Sequence, residues 1–268
     1  MSRKKRLLLF PLGVLAVLIG IPCCLTWREV RHERLNQQLI EAIKREDTAT
    51  ALSALAQGAD ANARDEKQTL PAWKVLWNRL RGKRPAPSTA PTALLLALEW
   101  KRDARGKFVY PRENVPLIQS LLTHGAQVNV RYEDGDPPLT YALDGGKSAT
   151  SRLLILHGAN VMSYAWDVPL RAACGESDID ADIVEMMLQR GAEPDGPNWI
   201  SISPLASAVI KRSPDKVRLL LCYHANPNVY VDEGTHRDSA LSDARRFAKS
   251  DPRMRRIEKM LKAAGAKE

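Results

Sequence analysis

The residues with the widest choice of chemistry in this sequence are five histidines and four cysteines, which can ligate metals or act as nucleophiles and bases. His124, His157 and His224 each lie at or beside a recurring turn. Successive copies of that turn would hold the three rings roughly 10 Å apart, whereas zinc binds its nitrogen ligands at about 2 Å. The histidines therefore predict no shared metal site.

The cysteines form no reactive or metal-binding motif. Cys23 and Cys24 lie in an uncharged run, Cys174 occupies a slot for a small buried residue, and Cys222 lies near the end of a helical run. The sequence has no Cys-x-x-Cys pair, phosphate loop or Gly-x-Ser-x-Gly motif. We expect a non-catalytic protein without a cofactor, a metal ion or a small-molecule substrate.

An acidic run alternates along the chain at Glu176, Asp178, Asp180 and Asp182. A calcium-binding EF-hand loop needs glycine at its sixth position and glutamate at its twelfth, but Ile183 and Gln189 stand there. Negative charge is favoured at the start of a helix, where the helix dipole is positive. The run therefore predicts a helix start.

The elements that position these residues repeat at a fixed spacing. An apolar helical run ends in a turn at Gly125, Gly158, Gly191 and His224, so each step is 33 residues, which is typical of stacked repeats. Glycine suits a left-handed turn at a helix end. Histidine is among the better tolerated substitutes, so His224 is predicted to be a strained variant of the same turn.

Each repeat opens with a short motif in which a small residue follows three positions after a leucine, so that two helices can pack closely. The openings are Thr92-Ala93-Leu94, Pro137-Pro138-Leu139, Val168-Pro169-Leu170, Ser203-Pro204-Leu205 and Ser239-Ala240-Leu241, with small residues at Ala97, Ala142, Ala173, Ala208 and Ala244. Proline suits the first helical position, and Ser203 and Ser239 are expected to be N-caps.

This pattern resembles the ankyrin repeat over roughly residues 35–267. The resemblance implies an all-α ankyrin-repeat solenoid of about six helix pairs with hairpin loops, in which residues 35–268 form the repeat domain. It also implies that a partner protein is bound on the concave surface formed by the hairpin tips and the first helix of each pair.

The amino-terminal segment has the pattern of a membrane anchor. Residues 7–27 carry no charge, and as a helix these 21 residues would span about 30 Å, the thickness of a bilayer core. We expect a basic tail over residues 1–6, one transmembrane helix over 7–27 and a juxtamembrane linker over 28–34. A cleaved signal peptide is the alternative, although no small-x-small cleavage site follows the run. The basic tail favours a repeat domain on the non-cytoplasmic side.

Two insertions interrupt the repeats. Gly58 and Gly125 are 67 residues apart instead of 33, and comparison with the undisturbed repeats places the excess near residues 65–91 and 101–112. An extra degenerate repeat is the alternative. It would need a leucine run and a turn near position 91, where the sequence is rich in proline instead.

The larger insertion carries an aromatic face. Trp73 and Trp77 lie with Leu76 and Leu80 at helical spacing. This face is a candidate for contact with a partner or with an anionic membrane surface. The alternative is that it packs back on the repeats.

Charge is distributed unevenly along the chain. The net charge of +9 combines +4 in the basic tail, +6 in residues 65–130, −6 in residues 131–236 and +5 in residues 237–268. A nucleic-acid-binding protein usually has one continuous basic surface, so the acidic centre argues against that class.

Aromatic residues recur between repeats, six to eight residues after the turn. They are Tyr132, Tyr164, Trp166, Trp199 and Tyr230. Tyrosine and tryptophan commonly anchor interfaces, so these rings are candidate partner-binding residues. The alternative is that each ring packs on the next hairpin and stiffens it.

The sequence therefore predicts a membrane-tethered scaffold that binds a protein partner. Tethering would raise the effective concentration near the membrane, so a modest affinity would suffice. The alternative is a secreted, soluble ankyrin effector or inhibitor, released by removal of a signal peptide.

Overall fold

The computed structural model describes residues 27–66, 81, 90–98, 101–102, 108–109, 111–130, 136–162, 168–197, 202–232 and 237–267. Within these ranges the chain forms twelve helices. They are α1 (27–44), α2 (Thr48–Ala56), α3 (Ala93–Leu96), α4 (Val115–Thr123), α5 (Pro138–Asp144), α6 (Ser148–Leu156), α7 (Pro169–Gly175), α8 (Ala181–Gln189), α9 (Pro204–Ile210), α10 (Pro214–Cys222), α11 (Ala240–Phe247) and α12 (Pro252–Ala263).

Two short antiparallel ribbons accompany the helices in the described part of the chain. Strand β1 (Lys101–Arg102) pairs with β2 (Phe108–Val109), and β3 (Tyr230–Asp232) pairs with β4 (Arg237–Ser239). The first ribbon lies inside the insertion predicted near residues 101–112. The core is helical, so the all-α class with six consecutive helix pairs agrees with the prediction.

The chain divides into two compact units, and the first contains residues up to Leu96 together with Thr123–Ala126. In this unit α1 buries Leu39 and Ile43, and α2 buries Leu55. The segment 28–34, expected to be a linker, is helical and continuous with the rest of α1.

The larger insertion begins and ends at one place in the first unit. The Asp65 N–H donates to the Pro91 carbonyl at 2.9 Å, and the Ala93 N–H donates to the Ala63 carbonyl at 2.8 Å. The two ends of the insertion are therefore adjacent. Trp73 and Trp77 lie outside the described residues.

The second unit, residues 97–122 and 127–268, stacks equivalent helices on one another. The first helices α5, α7 and α9 pack in a row, and the second helices α6, α8 and α10 pack in a parallel row. Close approach is possible because Ala142, Ala173, Ala208 and Ala244 are completely buried. Ala97 differs because it follows the end of the short helix α3 and is half-buried.

The predicted turn is present at every expected position. A positive φ is found at Gly58 (96°), Gly125 (84°), Gly158 (87°), Gly191 (91°), His224 (65°) and Gly265 (84°). His224 therefore adopts the left-handed conformation in the slot that glycine fills elsewhere, as predicted. The leucines that precede the turns are equally buried, with exposures of 0 % for Leu154, 5 % for Leu188 and 0 % for Leu220.

The predicted helix caps are also present. The Ser203 hydroxyl accepts a hydrogen bond from the Ala206 N–H at 3.1 Å, and the Ser239 hydroxyl accepts one from the Ser242 N–H at 3.1 Å. Each cap satisfies an amide that has no partner within its helix.

The described residues contain no helix that combines the length and apolar character needed to cross a bilayer. Residues 7–26 of the expected anchor lie outside the described ranges, and Trp27 is the first described residue.

Candidate functional site

The sequence predicts partner-binding aromatic residues in the hairpins between repeats. Tyr230 lies in β3, where its backbone is opposite Ser239 in the ribbon with β4. The other predicted hairpin residues lie outside the described residues; they are Tyr132, Tyr164, Trp166 and Trp199. The described residues that flank these hairpins therefore carry the structural information about the site.

One polar side chain, four positions after the turn residue, connects each hairpin to the next. The Asn129 Oδ1 accepts a hydrogen bond from the Asn160 N–H at 2.8 Å, and the Asn129 Nδ2 donates to the Gly158 carbonyl at 3.0 Å. We call this connection, with its counterparts below, the asparagine ladder. It joins a side chain of one repeat to the backbone of the next.

The same connection recurs further along the second unit. Asp195 Oδ1 accepts from the Asn226 N–H at 2.7 Å, and Asn228 Oδ1 accepts from the Lys267 N–H at 2.7 Å. The equivalent position after Gly158 is Met162, whose side chain has no such acceptor oxygen. The ladder therefore has one position without its side-chain acceptor.

The first helices of the second unit expose little side-chain surface between the hairpins. Thr140, Tyr141 and Ser207 lie on these helices and are buried. The exposed positions are concentrated where each first helix ends, at Asp144 and Lys211. The exposed surface of these first helices therefore lies mainly at their ends remote from the hairpins, acidic at one repeat and basic at a later one.

Two buried lysines lie at the edge where first helices end. The Lys216 ammonium donates to the carbonyls of Ala173 at 2.8 Å and Glu176 at 2.5 Å, at the end of α7. Lys147 donates to the Leu98 carbonyl at 3.4 Å. Burial is the main cause that lowers the pKa of Lys216. Both cations have the geometry of a cap for backbone carbonyls, which are negative at helix ends.

Sequence analysis did not assign these lysines a role. A single lysine in an amphipathic helix usually lies on the solvated face, and nothing in the local spacing distinguishes Lys216 from Lys211. The helical spacing did contain a signal for Lys216. It places this lysine on the buried side of α10, where Val217 and Leu220 also lie.

Cys174 lies in the buried slot predicted for it, with no exposed surface. Burial raises the pKa of its thiol to about 12, although the nearby Lys216 charge opposes this effect. Since the thiolate is the nucleophile and the metal ligand, this environment keeps Cys174 in its unreactive form at neutral pH.

The acidic run is at the start of α8, as predicted. Asp182 pairs with Arg152, and Asp180 Oδ2 accepts a hydrogen bond from the Ser148 hydroxyl at 2.7 Å. These contacts attach α8 to the preceding second helix. Among the described residues, no group of three or more histidine, cysteine or acidic side chains is arranged to hold a metal ion.

A cavity of about 310 Å³ lies at the start of α1 in the first unit. It is lined by Trp27, Arg28, Arg31, His32, Leu35 and Gln57. The Arg31 guanidinium lies 5.7 Å from the centroid of the Trp27 ring, and the His32 Nδ1 is 3.1 Å from the Gly58 carbonyl oxygen. The lining therefore contains two arginines and no carboxylate.

Comparison with known proteins identifies the class of fold. An ankyrin repeat domain from Acinetobacter baumannii has a similar structure, with a TM-score of 0.58 and 25% identity over 85% of this chain and 98% of that chain. The human ASB11 ankyrin repeat domain is similar, with a TM-score of 0.55 and 20% identity over 85% of this chain and 84% of that one. The chain has the ankyrin-repeat fold.

Sequence comparison is less extensive. No protein-family model matches the chain. The E3 ubiquitin-protein ligase KEG of Arabidopsis thaliana is 31% identical over 118 residues, which are 41% of this chain and 7% of that protein. The match thus covers a small part of a much longer protein.

Proposed function

We propose that this chain is a non-catalytic protein–protein interaction scaffold, held at a membrane by residues 7–27. The ankyrin-repeat fold supports the interaction role. The observation that carries the proposal is the asparagine ladder, because at Asn129, Asp195 and Asn228 it fixes the base of one hairpin to the backbone of the next repeat. A partner would then meet several hairpin tips in a set arrangement, which reduces the entropy lost on binding.

The proposed partner contacts are made by Tyr132, Tyr164, Trp166, Trp199 and Tyr230 in the hairpins, together with the first helices. Trp73 and Trp77 in the larger insertion are further candidates. An aromatic anchor contributes through the large apolar area that it buries, so its truncation would weaken binding strongly.

Crosslinking of the full chain in its native membranes, followed by mass spectrometry, would identify the partner. Trp166→Ala with Trp199→Ala is then expected to abolish partner capture without changing the melting temperature. Leu156→Ala is the matched control, since Leu156 is a large apolar side chain that is 58 % exposed at the end of the second helix α6 and is not one of the aromatic candidates. A lower melting temperature with unchanged capture by the folded fraction would instead assign both rings to hairpin packing.

The membrane tether is a separate part of the proposal. An uncharged run of bilayer length supports it, and the basic tail supports a repeat domain on the non-cytoplasmic side. Sequencing the amino terminus of the mature chain tests the tether, because a start beyond Trp27 would make the protein a secreted ankyrin effector or inhibitor. Protease treatment of sealed cells tests the orientation: digestion of the repeats from outside is expected, and full protection would reverse it.

The non-catalytic role rests on the chemistry of the described residues. Cys174 is protonated and enclosed, while Lys216 is occupied by two backbone carbonyls. Iodoacetamide is expected to modify Cys222, which is exposed, and to leave Cys174 intact in the folded chain. Rapid alkylation of Cys174 would show an accessible thiolate and would reopen the case for a nucleophile.

A further inference from the structure

The cavity at the start of α1 combines cationic donors with an exposed aromatic ring. Trp27 is 63 % exposed, whereas Leu35, which also lines the cavity, is buried. Arg28 and Arg31 lie on the exposed side of the helix. Arginine matches the geometry of phosphate oxygens with two parallel donors, and tryptophan is enriched where a membrane meets water.

The charge of the surroundings suits a monoanion. Glu29 and Glu33 are the carboxylates of the same helical segment, and neither lines the cavity. Arg28 and Arg31 are the lining residues that carry a full positive charge. A phosphodiester carries one negative charge, so both guanidinium groups could donate to it with no carboxylate in the lining to repel it.

The position along the chain suits a headgroup. Trp27 is the last residue of the uncharged run, and the chain is helical from there. Four residues of helix rise about 6 Å, which places Arg31 about 6 Å beyond the end of the run along the helix axis. The headgroup layer of a bilayer is roughly 5–8 Å thick on each side of the hydrocarbon core.

We infer that this cavity binds the phosphate group of a membrane phospholipid, with Arg28 and Arg31 as donors and the Trp27 ring against the upper acyl chain. The inference rests on the proposed tether, which would hold the cavity at the depth of the headgroups. Gln57, from the end of α2, offers a further polar group on the repeat side. The bound lipid would connect the first repeat to the membrane surface and limit its rotation about the anchor.

Native mass spectrometry of the full chain in an uncharged detergent tests the inference. The probes are phosphatidylglycerol, diacylglycerol and inorganic phosphate. Retention of one phosphatidylglycerol per chain is expected, with at least tenfold weaker retention of diacylglycerol, which lacks the phosphate. Inorganic phosphate at equal concentration is expected to leave the lipid in place, because it lacks the acyl chain that Trp27 contacts. Equal retention of diacylglycerol, or full displacement by inorganic phosphate, would overturn the lipid assignment.

Variants locate the site. Arg28→Gln with Arg31→Gln is expected to weaken phosphatidylglycerol retention at least tenfold. Arg34→Gln is the matched control, because Arg34 is an exposed arginine of the same helix outside the lining, and it should change retention less than twofold. Equal losses in both variants would reduce the effect to general charge and contradict a site.

Two further measurements keep the outcome interpretable. If the double variant melts at a lower temperature than wild type, Arg28→Lys with Arg31→Lys replaces it in the test, because lysine keeps the charge and lacks the paired donors of arginine. We expect this variant to retain phosphatidylglycerol at least about threefold more weakly. Retention equal to wild type would contradict the inference. A chain that resists alkaline extraction from membranes yet retains no lipid would overturn the headgroup site alone. Absence of residues 7–27 from the mature chain would overturn the tether.

Discussion

The two edges of the second unit join neighbouring repeats by different means. At the hairpin edge, short amide and carboxylate side chains bind backbone groups of the next repeat at one recurring position. At the opposite edge, long cationic side chains such as Lys147 and Lys216 reach carbonyls of the preceding repeat. The first kind of connection follows from the position in the repeat. The second kind depends on whether a flexible lysine side chain lies within reach of buried carbonyl groups.

This difference has a functional consequence. The aromatic candidates are predicted for the hairpins, so a regular connection at this edge would present them to a partner in a set arrangement. The lysine edge stabilises the stack without repeating. Substitutions at the two edges should therefore change the free energy of unfolding by different amounts. A side chain that works at one ladder position should also work at the equivalent position of another repeat, whereas the lysine contacts should not be transferable.

The largest effect is expected at the lysine edge. Lys216→Met would leave the Ala173 and Glu176 carbonyls without their charged donor, and buried acceptors without partners are costly. We expect the free energy of unfolding to fall by about 2–4 kcal/mol, measured by urea denaturation. Lys259→Met, at an exposed lysine of α12, should stay within about 0.5 kcal/mol. Equal effects of the two variants would show that Lys216 is not a structural cap.

At the same edge, the buried thiol of Cys174 should make the free energy of unfolding depend on pH. Its folded pKa is about 12 against an ordinary value of 9.0, so above pH 9 the unfolded state binds fewer protons than the folded state. The stability contributed by the protonated thiol is complete below pH 9 and is lost as pH rises toward 12. The stability difference between wild type and Cys174→Ala should fall by about 1.4 kcal/mol per pH unit above 9.

Urea unfolding at pH 8, 9 and 10 measures this slope. Lys216 is present in both proteins, so the effect of burial on its pKa cancels in the difference, whereas its interaction with the Cys174 thiolate does not. Cys222→Ala removes the exposed thiol and should give a curve parallel to wild type. Parallel curves for Cys174→Ala as well would mean that the buried thiol titrates as it does in the unfolded chain.

A smaller effect is expected at the hairpin edge. Asn129→Ala would remove both hydrogen bonds to the next repeat and cost about 1–2 kcal/mol. Asp195→Asn is the matched variant, because it keeps the acceptor oxygen for the Asn226 N–H and should be nearly neutral. A large loss for Asp195→Asn would show that charge, and not the acceptor, matters at this position.

The smallest effect is a gain. Met162 is 41 % exposed and occupies the ladder position that lacks an acceptor, so Met162→Asn could accept from the Glu193 N–H. We expect a rise in the free energy of unfolding of about 0.5–1 kcal/mol. Met162→Leu, which offers no acceptor, should leave stability unchanged. A gain of the same size from leucine would assign the effect to packing.

Much of the fold could be predicted because its rules are local. The turn glycines, the N-caps at Ser203 and Ser239 and the buried alanines follow from backbone geometry and helix spacing, which act over a few residues. The 33-residue step then fixes which segments are neighbours. The left-handed conformation of His224 was predictable in the same way, because its position in the 33-residue step indicates the turn even though the residue is not glycine.

The lysine edge and the cavity at the start of α1 were not predictable by such rules. Whether Lys216 is solvated or buried depends on carbonyls about 40 residues earlier in the chain, and a flexible side chain leaves no periodic signal. The cavity depends on a helix that continues through segment 28–34, where a linker was expected. The aromatic candidates stay predictions, apart from the backbone position of Tyr230.

The equivalence of the repeats is the central claim, and amide hydrogen exchange tests it most directly. The Asn160 and Asn226 N–H groups each donate to a ladder side chain, whereas the 33-residue step makes Met162 the counterpart for the Glu193 N–H. Glu193 is expected to exchange at least several-fold faster than the other two in wild type, and to slow to their rate in Met162→Asn. Equal protection of all three amides in wild type, or no change on substitution, would contradict a ladder that repeats by position.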